Sequence, residues 1–496
     1  MAPDPNPSAT SAAFAAAGDA DAARDIGALD SAADAAARKR APSRRSLVER
    51  LIYDRPPGPA ELGAGGRTAA GLDPHRHPAL GAALGVLGGG NAFAAGGKLS
   101  ADLRAAMTAA GAYGLTVPTA FGGRGETYLQ LAALEEALAA NGLGPLAVEI
   151  SGQLTIGAGS LLGYGNEEQQ RLFLPMVAEG TLMAFALTEV GTGVNAKKIA
   201  AYVDEQPDGS YRLFAEGSSN KLWITNARHG GLAGIVARIG RAGRDLGLFV
   251  VELPGRDIDA ADGFEFRLMP SGVAAFTANE NARVHFSGFP IPAANRIPGD
   301  GVEVLFHSLR LGRCMLAAMS AGYQRMLARD ASHYAKLRPG VGGRIVRHEL
   351  PRLAIGRMLG GALQAHALAF LALTQDADGA DLAGLRDITK ASAAQTGLES
   401  MLAAEHVLGG RAFDAASRVN AARVNLHLFG VVEGEDEMIR MGMVRDVTGA
   451  FVGRYLAPLL GQLKAANTGP DGNPVPEDKR ILRLGWTAVA RHPGRA

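Results

Sequence analysis

Leu428-Phe-Gly-Val-Val-Glu-Gly-Glu-Asp-Glu-Met-Ile-Arg440 places a carboxylate, Glu433, directly before a glycine near the end of a helical half of the chain. Alone, such a residue is an ordinary solvated glutamate at a helix end. Two upstream segments change its weight: Ala184-Phe-Ala-Leu-Thr-Glu-Val-Gly-Thr-Gly193 and Lys221-Leu-Trp-Ile-Thr-Asn226. Outward from Glu433, residues 415–430 carry helical periodicity, as do 303–335, 348–374 and 381–408. Prolines are few between about 301 and 460, so these four segments predict an antiparallel bundle. From about 183 to 300 the period shortens. Gly234-Ile-Val-Ala-Arg238, Gly247-Leu-Phe-Val-Val-Glu-Leu253 and Ala282-Arg-Val-His-Phe286 predict strands, split by Gly, Asp and Pro turns.

Between about 46 and 182 the pattern is helical again. Leu129, Leu131, Leu134 and Leu138 recur near helical spacing, with Asn141-Gly142 as a stop. Ser100 offers a cap to another helix. The expected division is a tail over 1–45, an all-α domain over 46–182, a β-domain over 183–300, a helical bundle over 301–460 and a second tail over 461–496. The first tail is rich in Ala, Ser, Pro and Asp and has too few large apolar residues to offset the entropy of ordering. A docking segment for a partner is the alternative reading.

Composition narrows the function classes. The chain has 496 residues, 47% hydrophobic and 20% charged, which suits a globular enzyme with a large core. A net charge of +1 makes no electrostatic case for nucleic acid. The single cysteine, Cys314, excludes an intramolecular disulfide and a Cys-based zinc site, and no metal is expected. It reads as a packed helix position. No apolar run reaches membrane-spanning length and no secretory h-region is present, so a cytoplasmic location is expected. Gly191-x-Gly193 is not a dinucleotide fingerprint, because no βαβ pattern surrounds it.

Further motifs join the three segments. Gly114-Leu-Thr-Val-Pro-Thr-Ala-Phe-Gly-Gly123, Tyr164-Gly-Asn-Glu-Glu-Gln169, and Phe289-Pro-Ile-Pro292 followed by Gly299-Asp-Gly301 stand in order. Together, over roughly residues 100 to 450, they resemble the acyl-CoA dehydrogenase family. The resemblance implies an α+β, mostly α fold: an N-terminal helical domain, a small central β-barrel domain and a C-terminal four-helix bundle. It implies an FAD enzyme that desaturates an acyl thioester, carried by CoA or by an acyl carrier protein, with Glu433 as the base for the α-proton.

The resemblance assigns further residues. Thr188 and Thr225 correspond to hydroxyls that touch the flavin ring, Trp223 to the aromatic beside it, and the backbone of Phe185 and Leu187 to its edge. Arg338 and the pair Gly409-Gly410 correspond to groups that reach a flavin held mainly by a neighbouring subunit. Val194, Arg310 and Arg313 fall at positions near the substrate or its carrier. Each has a plain structural alternative: strand threonines, a core tryptophan, a helix-end arginine, a helix-stop glycine pair, a helix-terminal ion pair. A homodimer or homotetramer, and an electron-transferring flavoprotein as acceptor, are also implied.

The departures cluster on cofactor and carrier contacts. Val194 stands where the family has a serine, Val341 where it has an aromatic, and Glu349 and His406 where it has glutamines. Glu435 replaces a threonine, and Arg310 an acidic or amide residue. An ionised Glu349 near a pyrophosphate would need a partner such as Arg344 or Arg347. Arg310 and Arg313 together suit a carrier phosphate or an acidic carrier helix. Two other readings stay open: an oxidase or monooxygenase on the same fold, and a non-catalytic thioester binder with weakened FAD binding.

Overall fold

The fold was obtained as a computed structural model that describes residues 73–193, 195–374, 382–415 and 417–452, with five isolated positions between 48 and 462. Both expected tails, and Val194, lie outside the described residues apart from position 462. By contacts the chain divides into two compact units. The larger takes in Leu62–Ala377 and Leu385–Asp436; the smaller comprises Met1–Glu61, Asp378–Gly384 and Glu437–Ala496.

The larger unit opens with six helices: α1 (Pro78–Gly88), α2 (Ala101–Ala109), α3 (Tyr128–Ala140), α4 (Gly144–Ser151), α5 (Ala158–Tyr164) and α6 (Glu167–Ala178). Local chemistry sets their ends. Ser100 accepts from the Leu103 amide at the start of α2, as its position suggested. Thr127 and Gln130 make a reciprocal capping box for α3, and Asn166 and Gln169 do the same for α6. Asn141 caps the end of α3 and Gly142 turns the chain at positive φ. A π-helical turn, Gly152–Gly157, joins α4 to α5. The α3 helix is buried almost all round; besides its leucines it buries Glu135 and Glu136.

Strands follow: β1 (Met183–Ala186), β2 (Tyr202–Glu205), β3 (Tyr211–Ala215), β4 (Lys221–Thr225), β5 (Gly231–Ile239), β6 (Leu246–Leu253), β7 (Glu265–Pro270) and β8 (Asn281–Ile291). They form one curled mixed sheet. One edge of β5 pairs antiparallel with β6; its other edge takes β1 along its first half and β2 near its end, both parallel. Strand β8 likewise takes β7 on one edge and β3 and β4 in series on the other. The curled face encloses Val203, Leu213, Ile235, Phe249, Phe266 and Phe286. Helix and sheet are tied by Gln169, which donates to the Ala294 and Arg296 carbonyls at 2.7 and 2.8 Å.

Helices resume with α7 (Gly301–Leu337), α8 (Glu349–Thr374), α9 (Ala383–Leu408), α10 (Arg418–Phe429) and α11 (Asp436–Phe451); a two-residue hairpin, β9 (Pro339–Gly340) and β10 (Gly343–Arg344), separates α7 from α8. The mostly helical α+β architecture is that expected from the pattern, and helix ends fall within a few residues of the expected ones. Asp300 caps α7, accepting from the Val302 and Glu303 amides. At 37 residues α7 is about 55 Å long and carries the site on its flank. Cys314 is fully buried in it. In the smaller unit, Val48 is buried and approaches Gly384, and α11 beyond Asp436 is largely exposed apart from Ile439. No described helix is long and apolar enough to cross a membrane.

Candidate active site

Helix α10 ends at Phe429, and the chain turns back through 430–435 before α11. The turn is held in a conformation that side chains rarely adopt: Glu433 has φ +58° and Gly434 φ +106°. Two buried cations hold it there by its backbone. Arg313 Nε donates to the Glu433 carbonyl at 3.0 Å, and the same guanidinium pairs with Asp387. Lys390 Nζ donates to the Gly434 carbonyl and to Asp436 Oδ1, both at 2.6 Å. Left-handed backbone at a non-glycine residue costs of order 1–3 kcal/mol and persists only where its surroundings over-determine it. Here the surroundings are two charged hydrogen-bond clamps from α7 and α9.

The result is the placement of one carboxylate. Glu433 is only partly buried as a residue, yet its Oε2 is buried and has no hydrogen-bond partner. The carboxylate lies on the backbone of α7 at Gly312, where an added Cβ would fall 2.3 Å from both oxygens. Only glycine leaves that space. Burial pushes the Glu433 pKa up to about 8, against the opposing pull of Arg313 and Lys390. A second carboxyl, Glu135 of α3, is fully buried nearby; burial and the proximity of Glu433 both push its pKa well up, opposed by the Ser151 hydroxyl. A raised carboxylate in a dry setting is a proton acceptor matched to neutral and mildly alkaline pH.

The expected flavin-ring residues cluster along β1, its exit and β4. Ala184 and Ala186 of β1 enter the core, so the strand alternation turns Phe185 and Leu187 to the other side, where both are half-buried. Thr188 is half-buried, and its carbonyl accepts from the Leu222 amide at 2.9 Å. Thr225 Oγ1 donates to Asn281 Oδ1 at 2.7 Å. Trp223 is 53% exposed with φ +59°, so it is not a core tryptophan. A half-exposed apolar face edged by hydroxyls fits a flat, amphipathic ring.

Arg338 and Gly409 are 71 residues apart in sequence, yet Arg338 and Gly409-Gly410 line a single cleft of about 450 Å³, together with Tyr334, His406 and Arg411. A Cβ at either glycine would meet nothing within 4 Å, so the backbone there is open to approach. Two guanidinium groups beside bare backbone suit phosphate oxygens.

Other expected residues fall differently. Arg313 is 12 residues into α7 and turned inward; with its guanidinium on Asp387 and the Glu433 carbonyl, it does not join Arg310 in facing a carrier phosphate. Arg310 is half-buried and stacks over Phe306 at 5.5 Å. Glu349 is exposed in the first turn of α8 and forms no ion pair with Arg344 or Arg347; Val341 is 91% exposed. Gly312, Lys390, Asp387, Asp436 and Glu135 were not anticipated. Gly312 directly precedes Arg313, but nothing local marks a helical glycine as the seat of a carboxylate 121 positions away.

The comparisons agree with this architecture. Residues 91–181 match the family model "Acyl-CoA dehydrogenase, N-terminal domain", and residues 299–448 match "Acyl-CoA dehydrogenase, C-terminal domain". The very long-chain specific acyl-CoA dehydrogenase of Rattus norvegicus is 27% identical over 363 residues, covering 69% of this chain and 52% of that protein. Butyryl-CoA dehydrogenase from Megasphaera elsdenii has a similar fold (TM-score 0.63, 20% identity, 80% of this chain and 97% of that one). A prolyl acyl carrier protein oxidase does too (TM-score 0.62, 20% identity, 69% and 90%). The fold and the paired domain matches define a protein of the acyl-CoA dehydrogenase type. This chain belongs to the acyl-CoA dehydrogenase family as a divergent member. It spans about half the length of the curated very long-chain relatives it matches.

Proposed function

We propose that this protein is an FAD-dependent dehydrogenase that introduces an α,β double bond into an acyl thioester, with Glu433 as the base. One observation carries the reading: a buried carboxylate with an unpartnered oxygen and a pKa near 8, seated on a bare glycine backbone and held by its own main chain. The neighbouring Glu135 also has unpartnered buried oxygens, so the seat on Gly312 and the clamped left-handed turn are what single out Glu433. Glu433 Oε2 accepts the α-proton, and Arg313 and Lys390 keep the base in place through the Glu433 and Gly434 carbonyls without neutralising it directly. Flavin bound on the face of Phe185, Leu187, Thr188, Trp223 and Thr225 supplies the acceptor for the β-hydride. Arg338, Gly409 and Gly410 would serve the phosphate end of a flavin shared between copies, which makes a homodimer or homotetramer part of the reading. An electron-transferring flavoprotein or another acceptor would be the redox partner, and the substrate class is an acyl group on CoA or on a carrier protein, with Arg310 the residue assigned to the carrier.

The test is the visible spectrum of the purified protein after incubation with FAD, before and after a panel of acyl thioesters. A flavin band that one thioester bleaches, and that Glu433→Gln retains but does not bleach, is the expected result. Bleaching by the glutamine variant at the wild-type rate sinks Glu433 as base. No flavin band under any condition sinks the dehydrogenase and leaves a thioester-binding protein.

A further inference from the structure

A buried ion pair lies behind the proposed flavin face of the sheet. There, Lys221 and Glu189 are both fully buried and paired, Nζ to Oε1 at 3.0 Å. All three ammonium protons are used: Lys221 Nζ also donates to the Leu187 carbonyl at 3.1 Å and the Val236 carbonyl at 2.7 Å. Glu189 is equally engaged, accepting from the Ala201 amide at 3.0 Å through Oε1 and from the Ala200 amide at 2.7 Å through Oε2. The pair therefore fastens four segments: the exit of β1, the start of β4, the middle of β5 and the approach to β2. Residues 189 and 221 are also bridge partners, and Leu222 N reaches the Thr188 carbonyl beside them.

Strand β4 departs from regular pairing just beyond this anchor. Its register with β8 shifts between Lys221 and Ile224, and Trp223, within the shift, carries φ +59°. Such backbone for an aromatic residue is strained and relaxes unless it is held on both sides. Downstream, Ile224 and Thr225 are back in register with β8. Upstream, the hold is Lys221. A buried ion pair is a poor source of net stability, which makes a role in fixing geometry the better account of its presence.

We propose that the Glu189–Lys221 pair is a positioning strut for the flavin face: it holds Trp223 in its strained, outward conformation and fixes Thr188 beside it. The inference rests on the flavin reading for its consequence, but its first step, the hold on Trp223, does not need the cofactor. The charge-neutral double variant Glu189→Gln/Lys221→Met is the informative one, since either single change strands a buried charge and risks the fold. In a Trp486→Phe background, Trp223 is the remaining tryptophan. Acrylamide quenching of apo protein then reports its setting, and a fluorescence titration with FAD gives Kd.

The double variant is expected to keep the far-ultraviolet spectrum of the parent, to change the quenching of Trp223, and to weaken FAD binding about tenfold, equivalent to ~1.4 kcal/mol. Unchanged quenching overturns the proposal, whether or not the melting temperature falls, because a merely structural pair lowers stability without moving Trp223. Changed quenching with an unaltered Kd overturns the link to the cofactor. A parent protein that binds no FAD removes the flavin reading alone, and the quenching comparison still decides the strut.

Discussion

At the scale of single residues, the Glu433 carboxylate sets two pH dependences of opposite sense. As a base it works only when ionised, so flavin reduction by a thioester should rise with pH through about 8, close to tenfold per unit well below that value. Stopped-flow rates from pH 6 to 10 check this; a flat profile removes Glu433 from the proton transfer. Stability runs the other way. Folded Glu433 holds its proton up to about 8, whereas the unfolded chain releases it near 4.5, so the folded state binds more protons between those values. Its contribution is complete below the lower value and is lost as pH rises through the upper one. Glu433→Gln, which does not titrate, should therefore gain stability over the wild type between pH 5 and pH 9 in urea denaturation. Gly312→Ala makes a sharper point. The new Cβ collides with the free end of a flexible side chain, not with backbone, so the fold should survive while the carboxylate moves. A displacement of that order should slow flavin reduction about 100-fold with little change in melting temperature. A normal rate would place the working base elsewhere.

At the scale of elements, α9 and the turn after α10 act as one piece through Lys390. Its ammonium is fully buried, and Asp436 and the Gly434 carbonyl are its partners. Lys390→Met should cost about 3 kcal/mol by stranding those acceptors, and should raise the pH midpoint of flavin reduction above that of the wild type, since Lys390 is one of two cations pulling the Glu433 pKa down. Urea denaturation and the stopped-flow profile read the two effects; an unchanged midpoint would mean the ammonium does not act on the carboxylate. None of this was visible in sequence. The helices were, because their periodicity, caps and stops are local: Ser100, Asn141-Gly142 and the leucines of α3 each announce themselves within a few residues. Of the eight strands of the sheet, β5, β6 and β8 were legible as short apolar runs between turns, while β1, β2, β3, β4 and β7 were not read individually. Clamp residues such as Arg313, Asp387 and Lys390 are legible only as part of a helical pattern, and their partners lie on other elements. Trp223 shows the same limit from the other side: a strand pattern predicts a regular strand, and the shift in register that turns this residue outward depends on an ion pair formed across the sheet.

At the scale of the whole molecule, the proposed reading divides the flavin contacts of one copy between the sheet face around Trp223 and the cleft of Arg338 with Gly409-Gly410. The shared-flavin reading therefore demands an assembly, and the bundle has a surface suited to one. Helix α8 is buried along one stripe by Met358, Ala362, Ala365 and Ala369, while around the rest of its surface Leu350, Leu353, Leu359 and Leu363 are exposed, the last two at 53% and 64%. Four large leucines along one helix are more apolar surface than a solvated helix needs, and a second copy of the same helix is the simplest cover. The purified protein should run as a dimer or larger by light scattering. Leu359→Glu/Leu363→Glu places two charges in the interface and leaves α8 free to fold, so it should yield a smaller species with an unchanged helical signal. If the cleft serves a flavin held mainly by another copy, that species should also lose most of its FAD affinity, although neither substitution lies among the proposed flavin-contacting residues. A dissociated variant that binds FAD as tightly as the parent would show that each copy completes its own site, and Arg338 and Gly409-Gly410 would then need another ligand.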